Sequence, residues 1–327
     1  MMKIALAGLR HNHIYSLYNE IKAHPALTVV GAWEETADAA EAAKAVITEP
    51  FYNSYEVLLA DPQIDIVAIG DYYGIRGKRV IQALNAGKAV ITDKPLCTSP
   101  EELAEIERIS REKQLPVGIQ LELRDDAALQ TAADIIGGGA LGEIRAVQFT
   151  AQHPLNYGVR PGWYFEKGKH GGTFNDIAVH AMDALAWIAG SVYDHTLFAR
   201  QWNAYATEVP HFKDCAQFNG QLANGAAVMG DVSYAGPPAA FQLPSYWRFT
   251  FWGACGYLEC RVGAETLTVA TAEDAAPRTV AVKPAVRRAL EGFLREVRSG
   301  TPSENTASCI TASRAALMLQ RFADEQR

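Results

Sequence analysis

The chain has 327 residues, of which 49% are hydrophobic and 20% charged, and its formal net charge is −7. This length predicts two domains, because single hydrophobic cores rarely grow beyond ~250 residues, and the negative charge argues against a nucleic-acid partner. No apolar run approaches the ~20 residues that span a bilayer, and the short apolar N-terminus fits a first strand better than a signal peptide. Five dispersed cysteines argue against a disulfide framework, so we expect a cytoplasmic protein without a membrane partner.

The first third of the chain alternates short apolar segments with helix-like ones. The predicted strands are Lys3–Ala7, Leu27–Trp33, Ile64–Ile69, Ala89–Thr92 and Pro116–Ile119. The predicted helices are His13–Ala23, Ala37–Lys44, Tyr55–Leu59, Arg76–Asn85 and Pro100–Lys113. The last helix has an N-cap, Ser99, and a proline in its first position. Strands separated by helices indicate a doubly wound parallel sheet, which binds ligands at the carboxyl ends of its strands.

The first strand leads into "GLRHNH", where a dinucleotide-binding fingerprint would have two further glycines after Gly8. Those positions hold Arg10 and His13. The following helix would still offer unpaired N–H groups to a phosphate, and Arg10 could reach a pyrophosphate oxygen. We therefore expect Gly8, Arg10, His11, Asn12 and His13 to contact a cofactor. A metal site at the two histidines is disfavoured because no carboxylate or cysteine lies nearby in the sequence, so no metal ligand is assigned.

The second strand ends next to Glu34, about 26 residues beyond Gly8. A Rossmann fold places there the acid that binds the adenosine ribose. A carboxylate at this position accepts a hydrogen bond from the 2′-hydroxyl and repels a 2′-phosphate, which favours NAD over NADP. Glu34 could equally be the solvated residue that follows a buried strand, and the sequence leaves both interpretations open.

The pattern changes after about Glu122. A helix near Asp125–Ile136 is followed by strand-like runs without helices between most of them, at Ile144–Gln152, Asp194–Trp202, Gln217–Leu222, Ala226–Tyr234, Tyr246–Trp252, Gly256–Val262 and Thr266–Thr271. Helices near Ala285–Arg298 and Ala307–Glu325 close the chain. The predicted fold class is thus α/β, with a parallel Rossmann sheet over residues 1–121 and an α+β domain with a largely antiparallel open sheet over residues 122–327. An open sheet face often pairs with another copy, so we expect a homodimer or homotetramer.

One helical segment of the second region carries a polar stripe. Between a predicted N-cap at Asn175 and a stop at Gly190, four residues recur with helical spacing: Asp176, His180, Asp183 and Trp187. An adjacent apolar stripe would face the core. A carboxylate and an imidazole one turn apart could form an acid/base pair, although an ordinary surface stripe would show the same spacing.

Four segments together resemble the Gfo/Idh/MocA oxidoreductase family over nearly the whole chain. They are "ALNAGKAVITDKPLCTSPEEL", "LLADPQIDIVAIG", "GGGALGEI" and "HGGTFNDIAVHAMDALAWIAG". The resemblance implies a dinucleotide-binding domain, a substrate-binding and oligomerisation domain, and hydride transfer between a nicotinamide cofactor and a sugar, polyol or related cyclic alcohol. The hydride must pass to the cofactor because no side chain can carry one.

The same resemblance implies that Lys94, Asp176 and His180 are catalytic and surround the substrate. His180 would be the general base for the substrate hydroxyl, since its unperturbed pKa of ~6.5 suits proton transfer near neutral pH. Lys94 would stabilise negative charge on the same oxygen, and Asp176 would orient the substrate or His180. The aromatic segment before the active-site helix could add Trp163 and Tyr164 as substrate contacts.

Several departures from the family pattern fall around the expected cofactor. Asp93 replaces a glutamate, Arg76 stands where the family often has a histidine, and Asp71, Tyr72 and Tyr73 replace a "TPN"-like turn. We expect cofactor contacts from Asp71, Tyr72, Arg76, Asp93 and Lys94 in addition to the loop residues and Glu34. The cofactor is then either held in an altered way or no longer used.

These considerations favour an NAD-dependent dehydrogenase acting on CH–OH donors, with NAD preferred to NADP. Two alternatives stay open at this point. An NAD-dependent glycosidase or lyase of the same fold would use the same residues for a transient oxidation. A non-catalytic sensor that binds a sugar or nucleotide would explain the altered loops but not the retained lysine, aspartate and histidine.

Overall fold

A computed structural model describes residues 1–286 and 288–326 of the chain. These residues form two compact units. The first comprises Met1–Gln120, Pro161–Gly171 and Leu290–Ile310, and the second comprises Leu121–Arg160, Gly172–Ala289 and the chain from Thr311 onward. The assignment of separate functions to residues 1–121 and 122–327 stays a prediction.

The first unit is built on a five-stranded parallel sheet with the order β2-β1-β3-β4-β5. Its strands are β1 (Met2–Ala7), β2 (Leu27–Trp33), β3 (Ile66–Ile69), β4 (Ala89–Thr92) and β5 (Val117–Ile119). Its helices are α1 (His13–Ala23), α2 (Ala37–Lys44), α3 (Tyr55–Ala60), α4 (Tyr73–Asn85) and α5 (Pro100–Lys113). The predicted Rossmann arrangement is confirmed, with α4 starting three residues earlier than expected. Because β1 lies between β2 and β3, the carboxyl ends of β1 and β3 flank the point where the strand order reverses.

Capping and burial explain this regularity. The Ser99 hydroxyl accepts a hydrogen bond from the Glu102 N–H at 3.1 Å, as the sequence predicts for the start of α5. All residues of β3 and β4 are buried, as befits strands covered on both faces. The segment beyond Leu290 completes the core, because Leu290, Phe293 and Leu294 pack with the apolar residues of β1 and β3.

The second unit carries an eight-stranded sheet with the order β13-β12-β11-β10-β6-β9-β8-β7. The strands are β6 (Ile144–Pro154), β7 (Tyr193–Trp202), β8 (Cys215–Leu222), β9 (Ala227–Gly236), β10 (Arg248–Gly253), β11 (Gly256–Arg261), β12 (Thr266–Thr271) and β13 (Arg278–Ala281). Among the described strands of this second sheet, only β6 and β9 pair in parallel, so the predicted, largely antiparallel sheet is confirmed. The edge strand β13 was not predicted, because its residues are exposed or half-buried and lack an apolar alternation.

The two faces of this sheet differ in their surroundings. Phe149, Phe218 and Phe249 are buried on one face, whereas Phe198 and Met229 are about half exposed on the other. The remaining helices are α6 (Ala127–Gly137), α7 (Val179–Ile188), α8 (Ala289–Ser299) and α9 (Glu304–Glu325). None of the helices in the described ranges combines the length and the apolar character needed to span a bilayer.

The predicted N-cap at Asn175 is wrong. A π-helical turn, Phe174–Ala178, precedes α7, and Asn175 lies inside it. The backbone is already helical at Thr173, and the Asp176 N–H donates to the Gly172 carbonyl at 3.0 Å. An N-cap residue requires a non-helical backbone, so Asn175 cannot serve as one, and the polar residues of the segment begin within a widened turn.

Candidate functional site

The loop after β1 requires glycine at one of the three fingerprint positions, Gly8. Gly8 has a φ of +68°, and a Cβ atom there would lie 2.5 Å from Cβ of Asp71. The loop then turns into α1, and the His11 N–H donates to the Gly70 carbonyl at 3.0 Å. Asn12 precedes the helix without capping it through its side chain. Gly8 therefore allows the ends of β1 and β3 to approach closely, while the two later positions accept larger side chains.

Arg10 is surrounded by carboxylates of its own unit. Its Nε lies 2.7 Å from Asp71 Oδ1 and 3.5 Å from Glu34 Oε1, and its Nη2 lies 3.0 Å from Glu35 Oε2. The guanidinium carbon also lies 4.6 Å from the centre of the Tyr72 ring. These contacts satisfy the charge of Arg10 inside the protein, so its expected reach to a pyrophosphate oxygen stays a prediction.

Glu34 is tied to the loop that it faces. Its carboxylate accepts hydrogen bonds from the Leu9 N–H at 2.5 Å and from the Thr36 N–H at 3.1 Å, and the residue is only 8% exposed. The interpretation of Glu34 as a solvated residue after the strand is therefore wrong. Its role as a ribose-binding acid stays a prediction.

Asp93 is a fully buried carboxylate that two histidines approach. Its Oδ1 accepts from the Lys94 N–H at 2.7 Å and lies 3.2 Å from Nδ1 of His13, while its Oδ2 contacts Nδ1 of His11. Burial opposes ionisation, but His11, His13 and Arg76 outweigh it and hold the pKa of Asp93 well below its usual range. For His11, burial prevails over the attraction of Asp93 and lowers the pKa to about 4.

Arg76 connects the chain after β3 to the chain after β4. Its Nη1 donates to the carbonyls of Asp93 and Pro95 at 3.0 and 2.7 Å, and its Nη2 donates to the Asp71 carbonyl at 2.7 Å. Arg76 is completely buried. Arg76 therefore ties these two loops together next to Lys94, and the expected contact of Arg76 with a cofactor stays a prediction.

An aromatic group extends from His11 into the segment Pro161–Gly171. The Tyr73 hydroxyl lies 3.1 Å from Nε2 of His11 and 3.3 Å from the Tyr164 hydroxyl, and the Trp163 Nε1–H donates to the Arg10 carbonyl at 3.1 Å. Trp163 and Tyr164 are buried in the first unit. Sequence reasoning did not name Tyr73 as a site residue, although its place in the altered turn after β3 was a usable signal.

The predicted polar stripe of the second unit is not a surface stripe. Asp176, His180 and Asp183 are 1 to 2% exposed, and Trp187 is half-buried. The Tyr234 hydroxyl donates to Oδ2 of Asp176, so this carboxylate is held within the core of its own unit.

The other two buried members of the stripe also have defined surroundings. Both oxygens of Asp183 accept from Arg124, at 2.8 and 2.6 Å. The His180 ring lies edge-on to Trp247 with 6.0 Å between the ring centres. Arg124 and Tyr234 were missed in the sequence, because neither lies near its acidic partner in the chain and neither belongs to a recognisable motif.

Known proteins share this fold and parts of this sequence. A 1,5-anhydro-D-fructose reductase from Ensifer adhaerens is 31% identical over 138 residues, which cover 42% of this chain and 41% of that protein. The chain spans about half, or less, of the length of the first curated relatives that it matches.

Two solved structures share the fold over almost the full length. A levoglucosan dehydrogenase in complex with NADH has a TM-score of 0.81 at 20% identity, with 99% of this chain and 97% of that one covered. A 3-ketoreductase from Actinomadura kijaniata, in complex with NADP and TDP-benzene, has a TM-score of 0.80 at 17% identity, with 98% and 97% covered.

Two family descriptions match consecutive parts of the chain. Residues 2–121 match the "Oxidoreductase family, NAD-binding Rossmann fold", and residues 129–259 match the "GFO/IDH/MocA C-terminal domain". These matches agree with the parallel sheet of the first unit and the open sheet of the second. The chain therefore belongs to the Gfo/Idh/MocA oxidoreductase family.

Proposed function

We propose that the protein is an NAD(P)-dependent oxidoreductase that transfers a hydride between the cofactor and a sugar, polyol or related cyclic alcohol. The observation that carries this proposal is the match of both regions to one oxidoreductase family, with a Rossmann sheet in the first unit. The similar 1,5-anhydro-D-fructose reductase and levoglucosan dehydrogenase support a sugar-like substrate.

The residues at the reversal point of the first sheet fit a dinucleotide. Gly8 leaves room at the end of β1, and the first turn of α1 directs backbone N–H groups toward the same end. Glu34 would accept hydrogen bonds from the adenosine ribose, and with Glu35 beside it a 2′-phosphate would meet negative charge. NAD is therefore the preferred cofactor, although Arg10 lies between these carboxylates and offers NADP a cation. When bound, the nicotinamide would supply the hydride acceptor or donor.

The roles of the protein side chains follow the family motif. We assign His180 as the base that takes the proton of the substrate hydroxyl, and Lys94 as the cation that stabilises the oxygen as its negative charge develops. Asp176 would position the substrate or His180, and the Tyr234 hydroxyl fixes that carboxylate. Trp163 and Tyr164 would contribute apolar surface to the substrate.

A non-catalytic binding protein is the second candidate, because the loop after β1 is engaged by its own unit. Arg10 is paired with carboxylates, and the Trp163 indole donates to the Arg10 carbonyl. Either contact would have to rearrange if the diphosphate of a cofactor used the same groups. A sugar or nucleotide sensor would tolerate this arrangement without any need for hydride transfer.

A thermal-shift titration with NAD and NADP, followed by an assay at 340 nm with a panel of sugars and polyols, tests the proposal. A ligand at ~100 times its Kd adds about 2.7 kcal/mol to the unit that binds it. We expect stabilisation by NAD, a smaller shift with NADP, and a net absorbance change with at least one substrate. The Glu34→Gln variant should lose the preference for NAD. If protein freed of cofactor binds neither nucleotide, the sensor is favoured. If a substrate is converted without an absorbance change, a glycosidase or lyase is favoured.

We also propose that the open sheet face of the second unit joins two or more copies of the chain. Phe198 and Met229 are 46% and 52% exposed on this face. Large apolar side chains grouped on one surface are typical of a protein interface. Light scattering on the purified protein should give the mass of a dimer or tetramer, and a Phe198→Glu, Met229→Glu variant should shift it to the monomer.

A further inference from the structure

Three potential metal ligands meet at the carboxyl ends of β1 and β4. They are His11, His13 and Asp93, and one ligand atom of each lies within 4.8 Å of the others. The two histidines belong to the loop after β1, and the carboxylate follows β4, 80 positions after His13. The sequence argued against a metal because it contains no acid near the histidines. The parallel sheet supplies one, since β3 alone separates β1 from β4.

We propose that His11, His13 and Asp93 bind a divalent transition-metal ion of the Zn²⁺ class. Two imidazole nitrogens and one carboxylate oxygen form a donor set that suits Zn²⁺ and similar ions, whereas Mg²⁺ and Ca²⁺ prefer oxygen ligands. Three protein ligands leave at least one coordination position for an oxygen atom from water, a hydroxyl or a phosphate. Such an ion would act as a Lewis acid at this end of the sheet.

The neighbours of the three ligands match what a metal site requires. A metal-bound histidine commonly donates its other ring N–H to an oxygen atom, and Nε2 of His11 lies 3.1 Å from the Tyr73 hydroxyl. Asp93 is oriented by the Lys94 N–H and by Arg76.

The cluster is closed on one side and accessible on the other. The side chains of Asp93 and His11 are 0% and 9% exposed, whereas that of His13 is 41% exposed. An ion could therefore reach the ligands past His13, and its open position would face the same direction. Arg76, whose Nη2 lies 3.4 Å from Asp93 Oδ2, partly compensates the negative charge of the Asp93 carboxylate. We therefore expect reversible binding, weaker than at a closed structural zinc site.

The test is a Zn²⁺ titration of the full chain after treatment with a chelator, followed by competition with a chromophoric chelator. It contains no nucleotide and no sugar, so its outcome is independent of the proposed oxidoreductase activity. We expect one Zn²⁺ per chain, visible absorption bands when Co²⁺ replaces Zn²⁺, and no competition from Mg²⁺.

Variants locate the ion. His13→Ala removes the most exposed ligand and should lower Zn²⁺ affinity at least ~10-fold, with little change in the melting temperature measured without metal. His195→Ala is the matched control, because His195 is an exposed histidine of β7 outside the cluster, and it should leave affinity unchanged. Asp93→Asn should also weaken binding, provided that its circular dichroism spectrum matches the wild type.

Two results would overturn the proposal. One is the absence of stoichiometric Zn²⁺ binding by the wild type, and the other is binding that His13→Ala leaves intact. In either case the contacts of Asp93 with His11, and of His11 with Tyr73, would be hydrogen bonds only.

Discussion

The two units bury their charged side chains in different ways. In the second unit, the Arg124 guanidinium donates to both oxygens of Asp183 and forms a two-point pair. In the first unit the partners are shared: Arg10 contacts three carboxylates, and Asp93 is approached by two histidines and an arginine. A two-point pair fixes one geometry, whereas a shared network can exchange partners when another ion arrives. We therefore expect the network of the first unit to adapt more readily to a charged ligand than the Arg124–Asp183 pair of the second.

The largest expected effect concerns a buried polar residue of the second unit that we assign to chemistry. His180→Gln removes the proposed proton acceptor and should lower kcat by ~10²–10⁴-fold while the affinity for NAD stays nearly constant. Steady-state kinetics and a cofactor titration measure both quantities. Turnover within about threefold of wild type would show that His180 is not the proton acceptor.

Breaking the two-point pair between Arg124 and Asp183 should cost stability instead of activity. Arg124→Ala removes both of these charge-assisted hydrogen bonds from the buried Asp183 carboxylate and should lower the free energy of unfolding by about 3–5 kcal/mol, as measured by urea denaturation. The exposed pair Arg321–Glu325 provides the control. Arg321→Ala should change the free energy of unfolding by only about 0.3–0.5 kcal/mol. The double variant Arg124→Met, Asp183→Leu should recover most of the loss. Equal losses of stability in Arg124→Ala and Arg321→Ala would contradict the stabilising role of the buried Arg124–Asp183 pair.

Substitutions at two glycines of the first unit distinguish the cost of backbone strain from the cost of a steric overlap. Gly8 and Gly87 have φ values of +68° and +79°, but only at Gly8 would a new Cβ meet another atom, 2.5 Å away. Gly87→Ala should cost about 1–2 kcal/mol from the backbone alone. Gly8→Ala should cost about 1–3 kcal/mol more from overlap with Asp71, and it should also weaken NAD binding. Equal losses of stability would mean that Asp71 moves aside freely.

The smallest effect is expected at the N-cap of α5, which belongs neither to the charged network of the first unit nor to the Arg124–Asp183 pair. Ser99→Ala removes the N-cap of α5 and should lower the stability of the first unit by ~1 kcal/mol, whereas Ser99→Asn should retain most of it. Both changes should leave Zn²⁺ and NAD affinities as they are. A loss of either affinity in these variants would show that α5 supports the network around Asp93.

Local signals in the sequence predicted most of the fold. The cap at Ser99, the alternation of apolar segments and the turns between them led to α1, α2, α5 and β12 with their observed ends. The exposed strand β13 lacked such a pattern, and the π-helical turn at Asn175 resembled an ordinary helix start. The hydrogen bonds of a π-helical turn depend on the backbone geometry around Thr173, and the spacing of side chains in the sequence does not predict that geometry.

The sequence named residues of the candidate site but not the contacts among them. The residues around the loop after β1 were named, yet Asp93 was not connected to the histidines, because that contact requires the strand order. Likewise, Arg124 and Asp183 are 59 positions apart, and their pairing follows from the packing within the second unit. Long-range pairs of this kind have no signature in a single sequence.

The return of the chain to the first unit also bears on how the protein is made. Leu290, Phe293 and Leu294 belong to the core beneath β1 and β3, and they leave the ribosome long after the strands that they cover. A Rossmann sheet translated as far as Gln120 therefore waits for the synthesis of about half of the chain with part of its apolar surface uncovered. Exposed apolar surface of this kind promotes aggregation, so chaperone contact during synthesis would matter most between the completion of β5 and the arrival of α8.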